Sequence, residues 1–278
     1  MITQAQCGTG SAGQEQAAGV GAQLILLTLL WAGVGLSPAG WLAGAAYAVA
    51  IWAILSAALR RSGTRSLGPA DLVTLARAVL VGGVTALVTD GAAAGTRVLV
   101  LVALASVALV LDAVDGHVAR RTGTSSPLGA RFDMEVDAFL ILVLSVYVAM
   151  TLGAWVLAIG VMRYAFVAAA RVLPWLSSPL PPSFARKTVA ALQGVVLVVT
   201  GARIIPDPVA AAAVGLALAS LVWSFGRDIV WLWQNSALEY GAVEYSAVEY
   251  SAVEPHGAVP PMTQYLMGSQ QENVFRRG

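Results

Sequence analysis

Long apolar stretches alternate with short polar ones along most of the chain. The apolar runs cover about 19–36, 40–59, 71–89, 96–113, 133–151, 153–172, 188–203 and 208–233. A helix needs about 20 mostly apolar residues to cross the hydrocarbon of a bilayer. Inside lipid every backbone N–H and C=O must be satisfied within its own segment, so such runs predict helices and not open strands. The pattern therefore predicts eight spanning helices, the first among the shorter ones. Gly and Ala are frequent in them, and small residues let membrane helices approach closely, which favours a compact bundle.

The polar punctuation divides the chain. The segment RRSGTRSLGP at 60–69 separates a helical hairpin, 19–59, from a six-helix unit, 60–235. The hairpin has no ionisable residue inside its spans, whereas the six-helix unit holds every charge of interest. From Ser236 the repeats SALEY, GAVEY, SAVEY and SAVEP follow at a period of five, and the chain then stays polar to Gly278. That period matches neither a helix face nor a strand, so 236–278 is expected to be a disordered acidic tail, with partner docking as the alternative. Residues 1–18 contain Glu15 and no Lys or Arg. A secretory signal opens with positive charge, so a short disordered N-terminus is expected instead. The expected fold is an all-α integral membrane protein, a six-helix transmembrane bundle with an extra N-terminal transmembrane hairpin.

Composition strengthens this reading. The chain is 58% hydrophobic and 11% charged, with a mean hydropathy of +0.76, against roughly 25% charged residues in a soluble domain. Its formal net charge of +1 gives no electrostatic footprint for nucleic acid. The single cysteine, Cys7, cannot form an internal disulfide. Basic residues mark orientation, because cytoplasmic loops of membrane proteins are enriched in Lys and Arg. Arg60, Arg61, Arg65, Arg120, Arg121, Arg131, Arg171, Arg186 and Lys187 fall on one side, and only Arg97 and Arg203 on the other. The first group and both termini are thus expected in the cytoplasm. One lysine against fifteen arginines, with abundant Ala, Val and Gly, fits a high-GC bacterium and hence its cytoplasmic membrane.

The scarce charges gather in one place, LDAVDGHVARRTGTSSPLGARFDMEVDAF at 111–139. Asp112 and Asp115 are three apart, and Asp133 and Asp137 four apart, so each pair lies on one helix face about a turn apart. A short polar link joins the two helices, which makes them antiparallel neighbours and turns the pairs toward each other. Four converging carboxylates cannot all ionise without a counter-charge. A hard divalent cation with oxygen ligands, Mg²⁺ or Mn²⁺, shared with phosphate oxygens, supplies one. Gly116 and Ala119 either leave room for a flat or bulky group or serve helix packing. Arg120 suits a diphosphate, since its fork binds phosphate oxygens bidentately, or else anchors the helix at the inner face. Gly129 permits a tight entry into the next helix. Glu135 points away from the metal face, as a surface or dimer contact, and His117 is a bystander.

In full, Asp112, Asp115, Gly116, Ala119, Arg120, Gly129, Asp133 and Asp137 read D-x-x-D-G-x-x-A-R-x8-G-x3-D-x3-D. This pattern resembles the signature of the CDP-alcohol phosphotransferases, and the resemblance extends over roughly 68–233. It implies an integral membrane enzyme with six core helices, commonly a homodimer, that moves a substituted phosphate from a CDP-alcohol to a second alcohol and releases CMP. By resemblance Asp112, Asp115 and Asp133 hold divalent metals, and Asp137 shares that shell and acts as general base on the acceptor hydroxyl. Gly116 and Ala119 border the cytidine, and Arg120 meets the diphosphate. Upstream, Thr74 and Arg77 keep the spacing of a P-N-x-x-T-x-x-R element found in many members. The Asn of that element is missing after Pro69, where Ala70 stands, and Asp71 one residue later is a substitute contact to the nucleotide.

The acceptor is the open point. Arg163, in mid-span, should face the cavity, where it meets the acceptor or pairs with a bundle carboxylate. Arg186 and Lys187 either receive the phosphate of an acceptor such as glycerol phosphate or inositol phosphate, or anchor the helix at the inner face. Arg227 and Asp228 are placed to pair with one another. CDP-diacylglycerol is the expected donor and a phospholipid the expected product, because bacterial members mostly use that donor. Three rivals read the acids differently. An intramembrane prenyltransferase places its two Asp motifs far apart in sequence, whereas here both pairs fit between residues 112 and 137. A divalent-cation transporter lines a path across the bilayer with acids, whereas these cluster at one face. A catalytically dead relative would not be expected to keep all four aspartates.

Overall fold

The computed structural model describes residues 12–62, 68–91, 95–122, 127–178 and 183–253, without the side chains of 12, 61–62, 69–70, 115–122, 127–128, 184 and 236–253. The described residues form eight helices and no strand. These are α1 (Ala12–Val34), α2 (Pro38–Ser62), α3 (Pro69–Thr89), α4 (Thr96–Thr122), α5 (Pro127–Leu152), α6 (Leu157–Val172), α7 (Phe184–Gly201) and α8 (Asp207–Val253). Short 3₁₀ turns, Ala154–Val156 and Pro174–Ser177, lead into and out of α6.

Among the described residues seven helices are long and apolar enough to cross a bilayer, where the sequence pattern predicts eight. The helix outside that set is α7, Phe184–Gly201, whose Phe184 side chain lies outside the described residues. Two further boundaries differ from expectation. Helix α1 opens at Ala12, ahead of the apolar run. The backbone of α8 stays helical to Val253, through most of the five-residue repeats. Ala, Leu and Glu are good helix formers whatever their period.

Residues 1–229 form one unit, and 230–278 a second. Within the first, α3 lies between the N-terminal hairpin on one flank and α4 and α5 on the other. Its core side chains Val81, Val84 and Leu87 are wholly buried. The hairpin seats against α3 through missing side chains. A Cβ on Gly40 would lie 2.7 Å from the Ala86 carbonyl oxygen, and one on Gly44 3.2 Å from the Gly82 carbonyl oxygen. At one end a polar clamp closes the seam. Arg97 bonds Asp90 at 2.8 Å and donates to the Val34 and Gly35 carbonyl oxygens at 3.0 and 2.7 Å. Asp90 also accepts the Ser37 N–H at 3.0 Å. Gly40→Ala should therefore push α2 off α3 against backbone that cannot yield. Overpacking of this kind costs roughly 1–3 kcal/mol, which thermal unfolding in detergent would show as a lower Tm; an unchanged Tm would mean that the seam is loose.

Candidate active site

Helix α3 starts with Gly68 as N-cap and Pro69 inside the first turn. Asp71, at the third helical position, reaches back and accepts the Gly68 N–H at 2.8 Å. This one-sided contact satisfies a backbone donor at the start of α3. Thr74 and Arg77 follow at helical spacing, and all three side chains are buried. The role of Asp71 seen in the structure is thus a helix cap, with one carboxylate oxygen so engaged.

Arg77 is only 1% exposed, and its guanidinium lies among carboxylates from two other helices. Nη1 is 2.6 Å from Asp133 Oδ1 on α5 and 3.1 Å from Asp112 Oδ1 on α4, and Nη2 bonds Asp137. The antiparallel arrangement read from the spacing is thereby realised for three of the four aspartates. One oxygen from each of Asp112, Asp133 and Asp137 lies within 4.8 Å of the other two. Asp115, Gly116, Ala119 and Arg120 continue α4 as helix, and their side chains lie outside the described residues.

Among the described side chains, three carboxylates against one guanidinium leave two formal negative charges in a part-buried cluster. Like charges so close disfavour one another's ionisation. A hard divalent cation matches both the residual charge and the all-oxygen donor set, so these residues fit one. Arg77 is the residue whose place sequence reasoning missed. Its spacing to Thr74 was legible, but its contacts were not. The available signal was a lone guanidinium in an apolar span, a functional position by default.

The basic residues considered for the acceptor fall into two groups. Arg163 on α6 bonds Glu135 on α5 at 3.0 Å. The bundle-carboxylate alternative for Arg163 is the one seen, and Glu135 turns away from the aspartate cluster. Arg186 on α7 meets Asp228 on α8 at 3.5 Å, and Arg227 approaches the same carboxylate at 3.3 Å and the Ser183 hydroxyl at 3.4 Å. The expected Arg227–Asp228 pair is present and includes Arg186 as well. Two guanidiniums sharing one carboxylate keep a net positive charge there. Lys187, next to it, is exposed. Gln193 is turned inward and donates to the Ala217 carbonyl oxygen at 2.9 Å, which ties α7 to α8.

Among curated proteins and among solved structures none matches the chain. The family model for CDP-alcohol phosphatidyltransferase matches residues 68–224, from the N-cap of α3 into α8. That span covers more than half of the chain and includes every residue of the aspartate cluster. The chain belongs to the CDP-alcohol phosphatidyltransferase family, whose enzymes transfer a phosphatidyl group from a CDP-alcohol.

Proposed function

We propose that the protein moves a phosphatidyl group from CDP-diacylglycerol to the hydroxyl of a small polar acceptor and releases CMP, as a step of phospholipid biosynthesis. The observation that carries this reading is the convergence of Asp112, Asp133 and Asp137 on one another within 4.8 Å, beside a buried arginine. Asp112, Asp115 and Asp133, with Asp137 sharing the shell, would hold Mg²⁺ or Mn²⁺. A divalent cation bound there would neutralise the diphosphate and the departing CMP. Asp137 takes the proton of the acceptor hydroxyl as its oxygen bonds to the lipid-bearing phosphorus, while the bond from that phosphorus to the CMP oxygen breaks. Arg120 steadies the diphosphate, Gly116 and Ala119 border the cytidine, and Thr74 lines the nucleotide side, with Asp71 supporting the start of α3. Positioning of the two substrates carries much of the rate.

A phosphorylated polyol, such as glycerol phosphate or inositol phosphate, is the favoured acceptor. The net positive group of Arg186, Arg227 and Asp228 supports it, with exposed Lys187 beside it, and Arg163 would serve only after leaving Glu135. A homodimer in a bacterial cytoplasmic membrane, with the site facing the cytoplasm, completes the reading. The basic loops that motivate this orientation also set the aspartates at the inner membrane face.

The test is CMP release by the purified protein with CDP-diacylglycerol and Mg²⁺ or Mn²⁺ over a panel of glycerol phosphate, inositol phosphate, inositol, serine and no acceptor. Acceptor-dependent CMP is expected with a phosphorylated polyol. CMP formed only with serine or free inositol would refute that acceptor class, and none with any acceptor would refute the donor. Arg186→Ala should raise KM for the phosphorylated acceptor about tenfold or more, the scale of a lost charge-assisted hydrogen bond, with KM for the donor unchanged. An equal rise in both would make Arg186 a structural residue.

A further inference from the structure

On the flank of α3 away from the carboxylates, α1, α2 and α3 line a half-open cavity of about 30 Å³. Gln16 and Gln23 of α1 and Tyr47 of α2 line it, with aliphatic walls from all three helices, Val20, Ile51 and Leu75 among them. The three polar side chains are 9%, 2% and 7% exposed. Among the described residues, Gln16 Nε2, Gln23 Nε2 and the Tyr47 hydroxyl have no hydrogen-bond partner. The other end of Gln16 is engaged, since its Oε1 accepts from the Ser56 hydroxyl at 3.3 Å. Gln23 lies against α3 at Gly82, where a Cβ would displace it, so the fold makes room for that amide. The helices involved are candidate membrane spans, and a polar group left unmatched in hydrocarbon is costly.

We propose that this cavity binds the ester carbonyl of a membrane glycerolipid. The unmet groups are hydrogen-bond donors, and an ester carbonyl brings acceptor capacity alone. A water would also have to place two O–H donors of its own, for which the polar wall offers only the glutamine Oε1 atoms and the Tyr47 hydroxyl. A water-sized probe needs about 10–15 Å³, so the space suits a carbonyl and its adjoining methylene, while the rest of the chain runs in lipid past Trp52, 48% exposed at the rim. The carbonyl comes either from a bulk glycerolipid or from the diacylglycerol part of the donor. The polar groups of this site stand on the hairpin, outside the matched family span, and the inference does not rest on the acceptor chemistry proposed above.

The experiment measures lipid retained by the full-length protein in native mass spectrometry. The probes are diacyl phosphatidylglycerol and its dialkyl ether analogue of the same chain length. Retention of the diacyl lipid should exceed that of the ether lipid about tenfold, as for one to two net hydrogen bonds. The preference should collapse in Gln23→Leu/Tyr47→Phe. That variant removes unmatched polar groups at nearly constant shape, which is neutral or stabilising for the fold. A parallel arm with CDP-diacylglycerol in EDTA separates the sources. Retention of that lipid alone identifies the donor's own ester, and retention of both identifies a general glycerolipid site. Equal retention of the diacyl and ether lipids together with CDP-diacylglycerol retention that the double variant leaves unchanged, or a diacyl preference untouched by the double variant, overturns the proposal. Because the readout is lipid retention, it is independent of CMP release.

Discussion

Asp137→Asn should lower kcat for CMP release by about 10²–10⁴-fold, the range for loss of a positioned general base. The substitution keeps the size of the side chain and removes its charge and basicity. Donor binding should change little, because Asp112 and Asp133 remain to gather the cation. Both kcat and kcat/KM should therefore fall together, the pattern of an interaction made only in the transition state. Asp90 gives the contrast. Its carboxylate is ion-paired too, with Arg97, but it is buried and closes the seam at the far end of α3. Asp90→Asn should lower Tm and leave turnover per folded molecule near that of the parent. If Asp137→Asn retained more than a tenth of the rate, the proton would have to leave by another group, and the role assigned to Asp137 would be wrong.

How much of this was legible in the sequence depends on the range of the interaction. The helices were, because lipid enforces internal backbone bonding on each segment separately, so hydropathy over about 20 residues suffices. The Asp112, Asp133 and Asp137 cluster was legible because its geometry follows from helical spacing and one short connection. The place of Arg77 was not, since it depends on how α3 packs against both α4 and α5. The hairpin's seat on α3 appeared only as a frequency of small residues. Which glycines touch backbone, as Gly40 does at Ala86, is a property of the packed pair. The helical backbone of 236–253 was missed for the opposite reason. A search for amphipathic period overlooked local propensity, which forms helix from Ala, Leu and Glu without any preferred face.

Arg77→Met should make the protein depend on divalent cations for its stability. In the structure one buried guanidinium serves three carboxylates. Breaking a buried ion pair by removing one partner costs about 3–5 kcal/mol, and the partial exposure of the three aspartates, 31–43%, places this case toward the lower end. In EDTA the variant should therefore melt well below the parent. Mg²⁺ or Mn²⁺ should restore much of that loss, since either cation supplies the missing positive charge to the same oxygens. Arg77 and a metal also compete for Asp112 Oδ1 and Asp133 Oδ1, so removing the arginine should tighten Mn²⁺ binding, by about tenfold or more if the competition is worth 1.4 kcal/mol or above. Turnover should nevertheless fall, because the guanidinium that holds the carboxylates in register is gone. Thermal melts with and without cation, and Mn²⁺ titration, read these effects without any substrate. Weaker Mn²⁺ binding in Arg77→Met would show that the arginine assembles the metal site instead of competing for it, and its place among the aspartates would then be that of a scaffold.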